Sequence, residues 1–374
     1  MGKQLSKYQK EKLERMLTVL ESLMPTYDYY NRKICEMYYK HAQISLGKAN
    51  NKIQSKQIVN LYYKIGYYQR LLGNNKEAEQ LHYQQLTISR KINSTNDIEL
   101  AESLNELALI YYELGKYDKS LKLYFEALEI DKKTVGENHP YYAIRLNNIG
   151  RVYDSQGKYD EAVEVYKKVL EIDKKSKELG SALHAIHLNN LAMVYRKQKR
   201  YEDSLKLYKQ ALKIEEKIIG REHPDYATHL NNLAVVYNLL NQNNKAERIF
   251  KKVVEIDEKT IGKNHSDYAK SLQNLGNVYN SQGKYKKAIE LFTQSLEIDV
   301  KTIGKNHPEY AIHLYNFANI FINMRKYNKA LTLLRESLGI MKKTLPTNHP
   351  NIQEVKKDIK NCVDELKNNP QIEA

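Results

Sequence analysis

ATHLNNLAVVYNLLNQNNKAERIFKKVVEIDEKT, residues 227–260, holds two amphipathic helical patterns on either side of an Asn-rich break. In the first pattern Leu230, Leu233, Ala234 and Tyr237 fall three and four residues apart, which puts them on one helical face. In the second, Ala246, Phe250, Val253 and Val254 do the same. Neither helix buries its stripe alone, so the pair must stack on neighbours.

The neighbours are copies of the same unit. An alanine opens each one, at Ala101, Ala143, Ala185, Ala227, Ala269 and Ala311, every 42 residues (143 − 101 = 42, through 311 − 269 = 42). One step back lands on Val59, whose unit keeps Ile65, Gly66, Gly73 and Ala78 in register. Seven copies therefore run from about residue 59 to about residue 350, and a sustained period of this size means a solenoid.

On length alone, 374 residues allow two or three globular domains. The repeat overrides that, because a solenoid is one domain whose core grows with each unit. The net charge of +15 invites a nucleic-acid or acidic-membrane reading. The lysines, however, are interleaved with acids, as in Lys167-Lys168 before Glu171 and Asp173, so a mixed-charge surface with a basic bias fits better. Two cysteines, Cys35 and Cys362, stand near opposite ends and are expected as free thiols, which suits a reducing, cytoplasmic setting. No window approaches a membrane span and no signal peptide is visible. MGKQLS at residues 1–6 matches the myristoylation pattern loosely, a short motif often met by chance.

Ahead of the array, residues 5–24 carry the stripe Leu13, Met16, Leu17, Leu20 and Leu23, and Pro25 stops it. A second helix is expected from Tyr27 to Leu46, with Tyr30, Ile34, Met37 and Tyr38 inward and Gly47 at its end. Residues 1–58 thus form a helical pair, a cap or a degenerate repeat. Within the array each first helix follows a recurring signal: GENHPYYA (136–143), GREHPDYA (220–227), GKNHSDYA (262–269) and GKNHPEYA (304–311). Gly ends the preceding helix, Asn is expected to cap the next, and Pro sits in its first turn. His139, His223, His265, His307 and His349 belong to this punctuation; ELGSALHA at 178–185 departs from it. Residues 351–367 read as a C-terminal capping helix and 368–374 as a disordered tail.

Counted from the opening alanine, position 8 is small (Ala108, Gly150, Ala192, Ala234, Gly276, Ala318) and position 11 aromatic (Tyr111, Tyr153, Tyr195, Tyr237, Tyr279, Phe321). Position 20 is Ser120, Ala162, Ser204, Ala246, Ala288 or Ala330, and position 4 is Leu from Leu104 to Leu314. This pattern resembles tetratricopeptide repeats (TPRs). The 42-residue period and phrases such as LNNLAVVY and EIDEKTIGKNHSDYA are more narrowly similar to kinesin light chains. The resemblance implies an all-α solenoid, a right-handed superhelix of seven helix pairs with N- and C-terminal capping helices, and protein binding in a concave groove lined by the first helices. Kinesin light chains also carry a long heptad region, for which residues 1–58 are too short.

The groove follows from helical geometry too. Positions 4, 7, 8 and 11 cluster on one side of the first helix, and positions 2, 5, 6, 9, 12 and 13 are expected to project away. Position 6 is Asn148, Asn190, Asn232, Asn274 and Asn316, with Glu106 earlier; position 5 adds Asn147, Asn189 and Asn231. Asn is a mediocre helix former, so its recurrence needs a reason. One reason is that its amide grips a peptide backbone whatever the sequence; the other is a bond across to the next repeat. Arg151, Arg196 and Lys197 make one stretch basic and suit an acidic or carboxylate-bearing peptide, and Asn277 lies beside them at position 9.

No phosphate-binding glycine loop, C-x-x-C or H-E-x-x-H occurs. His223, Asp225 and His229, and again His307, Glu309 and His313, come nearest to a metal cluster, but they straddle a helix start and Ser271 replaces the second His in another copy. The expectation is a non-enzymatic scaffold without metal or cofactor, binding an extended or helical peptide segment of another protein. The alternatives are a nucleic-acid-binding solenoid, which the even spread of Glu argues against, and a peptide-sensing regulator with N-terminal output helices.

Overall fold

The computed structural model describes residues 7–25, 32–49, 54–92, 97–176, 178–345 and 349–368, all helices and short turns with no strand among them. The chain divides into two compact units, 1–179 and 180–374. The first holds α1 (Lys7–Leu23), α2 (Arg32–Ala49), α3 (Lys56–Leu71), α4 (Asn75–Ile92), α5 (Ile98–Glu113), α6 (Tyr117–Thr134), α7 (Pro140–Ser155) and α8 (Tyr159–Lys175). The second holds α9 (Ala182–Lys197), α10 (Tyr201–Ile218), α11 (Pro224–Leu239), α12 (Asn243–Thr260), α13 (Ser266–Ser281), α14 (Tyr285–Thr302), α15 (Pro308–Asn323), α16 (Tyr327–Thr344) and α17 (Pro350–Asn368). Helices α3 to α16 are the seven pairs set by the 42-residue period, an all-α repeat solenoid. The division falls in the linker before α9, where Ser181 stands in place of a capping histidine.

Each pair closes on position 8. A Cβ added to Gly150 would meet the Tyr166 ring at 2.8 Å, and one on Gly276 would meet Phe292 at 2.8 Å. Tyr124, Tyr166, Tyr208, Phe250 and Phe292, from the second helix of successive pairs, are fully buried against these small residues. Where position 20 is serine, its hydroxyl donates back to the position-8 carbonyl: Ser120 Oγ to Ala108 O and Ser204 Oγ to Ala192 O, each 2.7 Å. The turn within a pair needs left-handed backbone one residue past the first helix's cap. Gly115 and Gly157 supply it without strain, but Lys199 (φ 62°), Asn241 (φ 56°) and Arg325 (φ 58°) occupy the same register.

Histidine, rather than the expected asparagine, caps α7, α11, α13 and α15, while Asp97 caps α5 and Ser181 caps α9. His139 Nδ1 accepts from the Tyr141 amide at 3.2 Å, and His223, His265 and His307 do the same two residues on. Each histidine has extended backbone, and its Nδ1 reaches where an Asx oxygen would. His349 caps α17 in the same way.

A second set of histidines was expected to belong to this punctuation and does not. His229, half-buried, and His313, buried, lie against carboxylates at the end of the preceding helix: His229 Nδ1 meets Glu215 Oε1, and His313 Nδ1 lies 2.5 Å from Asp299 Oδ2. The same place holds Ser271 donating to Asp257 (2.6 Å) and, in the first unit, Arg145 Nε at 3.4 Å from Asp131. Burial pushes the Asp131 and Asp257 carboxyls upward, opposed by Arg145 and by the Ser271 hydroxyl. These joints between repeats are polar pairs sealed from water. Among the described residues no group of three metal-ligating side chains converges.

The N-terminal pair departs from expectation in phase. In α1, Leu13 and Leu17 are buried, but Met16 and Leu23 are 39% and 52% exposed. In α2 the inward arc is Cys35, Tyr39, Ala42 and Leu46, one residue on from Ile34 and Met37, which are exposed. Both helices have apolar residues at adjacent phases, and packing against α3 selects one of them. Helix α2 runs through Gly47 to Ala49. Tyr27 and Tyr30, most of the connector beyond Ala49, and residues 369–374 of the expected tail lie outside the described residues; Asn368 is helical.

Candidate functional site

The first helices of successive repeats run parallel, and a polar seam joins them. Asn148 Nδ2 donates to Asn105 Oδ1 at 3.0 Å in the first unit. In the second, Asn232 donates to Asn189 (3.3 Å) and Asn274 to Asn231 (2.8 Å). Every one of these bonds spans 43 residues, one more than the repeat. Adjacent positions point about 100° apart around a helix, so within each unit position 5 turns toward the following first helix and position 6 toward the preceding one. Position 5 of one repeat therefore faces position 6 of the next.

The same offset governs the helix ends, between positions 12 and 13. Asn323 donates to Asn280 (3.1 Å), Tyr112 pairs with Ser155 (3.1 Å), and Arg70 donates to Glu113 (3.0 Å). It also reaches the caps. Lys64 pairs with Glu21 of α1 at 3.0 Å, and the Tyr315 hydroxyl donates to Asp358 of α17 at 2.9 Å. Helices α1 and α17 thus stand in the first-helix row of their units.

This seam places the expected site residues. Position 5 does not project: Asn147 and Asn189 are buried, while Asn231 is half-buried. The Asn189 and Asn231 oxygens accept from the following repeat and so sit between helices. Position 6 is the outer half of each rung, with Asn148, Asn190, Asn232, Asn274 and Asn316 all half-buried. For Asn148, Asn232 and Asn274, a rung engages one amide hydrogen; an Asn side chain has two hydrogens and an acceptor oxygen. Asn277 and Arg196 are half-buried on the same wall and Lys197 is exposed. Arg151 stacks on the Tyr112 ring, 5.0 Å from its centroid. Asn105 and Asn323 are members that the helical phase did not single out; polar pairs 43 residues apart are the signal that finds them.

The two units differ in charge along this wall. In the first, Glu102, Glu106, Glu113 and Asp154 stand at positions 2, 6, 13 and 12. Glu106 accepts from Asn105 Nδ2 (3.2 Å), and burial pushes its carboxyl above the usual range against the pull of Arg70. In the second unit, positions 2, 5, 6, 9, 12 and 13 carry no Asp or Glu in the repeats opening at Ala185, Ala227, Ala269 and Ala311. Amides dominate there, with Arg196 and Lys197 as the cations of the first repeat.

A tetratricopeptide-repeat model matches residues 57–133, 99–175, 183–259, 242–299 and 267–343, and a second tetratricopeptide-repeat model matches 147–218. Among solved structures the chain is similar to the apo form of RapI, with 20% identity and a TM-score of 0.59 over 81% of this chain and 99% of that one. It is similar to a Rap protein complexed with Competence and Sporulation Factor, with 14% identity and a TM-score of 0.55 over 96% and 99%. It is also similar to a putative kinesin light chain with nearly identical TPR-like repeats from Podosopora anserina, with 26% identity and a TM-score of 0.47 over 55% and 97%. At these levels the two Rap likenesses are of fold alone. No curated protein matches the chain.

Proposed function

The chain belongs to the tetratricopeptide-repeat family, and we propose that it is a non-enzymatic scaffold holding a peptide segment of a partner protein along the first-helix wall. The observation that carries this reading is the outer row of half-buried asparagines, repeated at one helical phase. An extended backbone offers alternating N–H and C=O groups, and a row of amides answers both without selecting side chains. The four repeats opening at Ala185, Ala227, Ala269 and Ala311, with no carboxylate at these wall positions and with Arg196 and Lys197 in the first of them, favour a segment that carries carboxylates. Cys35 and Cys362 are buried free thiols, which fits a reducing cytoplasmic setting, and no helix among the described residues is long and apolar enough to cross a membrane.

The test is selection of peptides from a random display library on the full chain, followed by calorimetry with the synthesised winners. Asn190→Ala with Asn232→Ala is expected to weaken them by about tenfold or more. The lost rung, Asn232 to Asn189, removes about 1 kcal/mol of stability as well, so affinity is compared well below the melting temperature. Winners that bind the double variant as they bind the parent would remove the asparagine row from the site.

A further inference from the structure

Helix α2 does not dock as the second helix of the later pairs does. Within each unit the second helix of those pairs is the main neighbour of the first helix that follows it, whereas α3 packs more closely on α1 than on α2. The setback leaves a cleft of about 930 Å³ between α2, α4 and the end of α5. Volumes of this size hold small organic ligands. Gly47 forms part of the α2 wall, and a Cβ built there would meet no atom within 4 Å.

The lining is amphipathic, and its Glu79 and Lys116 charges are paired with each other. Leu46, Tyr62, Ile65, Leu81 and Leu114 give it apolar walls. Glu79 is held by Lys116 Nζ at 2.6 Å, and that ammonium also lies 5.4 Å from the centroid of the Tyr111 ring. Glu77, just outside, bridges α4 to α2 by accepting from Tyr39 Oη (2.5 Å) and Gln43 Nε2 (3.1 Å). Lys76 stands exposed on the α4 side, where water screens it. Gln80 and Tyr83 are exposed on the lining, the tyrosine to 55%, and offer an amide and a phenol to whatever lies there.

We propose that this cleft is a binding site for an uncharged small molecule with an aromatic body and a hydrogen-bonding edge. The walls would take the ring, Tyr83 would stack on it, and the edge would meet the Gln80 amide. A cation would find Glu79 already paired, and an anion would meet only the water-screened Lys76 beside the paired Lys116, so neutrality is part of the specificity.

N-phenyl-1-naphthylamine, a neutral aromatic amine whose emission rises in apolar surroundings, is the probe. Titrated into the full chain it is expected to saturate at one site. Gly47→Leu projects a side chain into the open cleft at an exposed helical position, and is expected to weaken the probe by about tenfold or more, with circular dichroism and melting kept. Tyr83→Ala is expected to weaken it by a few-fold and serves as the second arm should Gly47→Leu disturb α2. Val19→Ser with Leu23→Ser, on the exposed face of α1, is expected to leave binding unchanged. Absence of saturable binding, probe binding indifferent to both cleft variants, or binding lost in the α1 variant would each overturn the proposal.

Discussion

The joint between α14 and α15 gives the sharpest test of how the repeats hold together. Asp299 has no exposed surface and His313 only 5%, and their Oδ2 and Nδ1 are 2.5 Å apart. His313→Leu leaves the carboxylate buried without its partner, which costs about 3 kcal/mol. Asp299→Val leaves a buried imidazole nitrogen unpaired, at about 1–2 kcal/mol. Together the substitutions remove both polar groups and leave apolar side chains in contact, so the double variant is expected within about 1 kcal/mol of the parent. The coupling in the cycle is then about 3–5 kcal/mol. Repeat arrays need not unfold in one step, so the readout is peptide-resolved hydrogen exchange over α14 and α15, supported by urea unfolding. A double variant destabilised by the sum of its parts would refute the reasoning, since the two groups would then be stabilised by their surroundings and not by each other.

Three further outcomes follow from named contacts. Gly150→Ala is expected to lower stability by about 1–2 kcal/mol in thermal unfolding, because its Cβ would lie 2.8 Å from the buried Tyr166 ring and the ring must shift. Lys199→Gly is expected to raise stability by about 0.5–1 kcal/mol by releasing a non-glycine side chain from φ 62°, and a lower melting temperature would count against strain at that turn. Glu247 accepts from Lys251 (2.7 Å), Gln282 (3.0 Å) and Lys284 (3.3 Å), and its carboxyl is held down to about 2, chiefly by the Lys251 hydrogen bond. A depressed carboxyl stabilises the fold above its ordinary value of 4.5 and loses that contribution as pH falls from there through about 2. The melting temperature of Glu247→Gln should therefore approach that of the parent over this window, and a constant difference would exclude the linkage.

The candidate site shows where helical phase stops being informative. Asn147 and Asn148 are chemically alike and adjacent, yet one is buried and the other is the half-buried outer end of a rung. Which is which depends on how consecutive first helices face one another, a relation between elements distant in sequence. His223 and His229 make the same point. Both sit at a helix start, but one caps the helix and the other pairs with Glu215 of the preceding helix. In α2, apolar residues at adjacent phases gave no means of choosing between Ile34 and Cys35 until α3 was in place.

By itself the sequence determined the number, length and order of the repeated helix pairs, because the 42-residue period and the spacing of small and aromatic positions are local properties of the chain. It determined the turns as well, since Gly and His-Pro act within a few residues of themselves. Tertiary structure alone decided the buried carboxylate pairs, the rungs 43 residues apart and the cleft beside α2. Each of these depends on how one helix is displaced against another, and that displacement is set by side-chain packing over the whole contact.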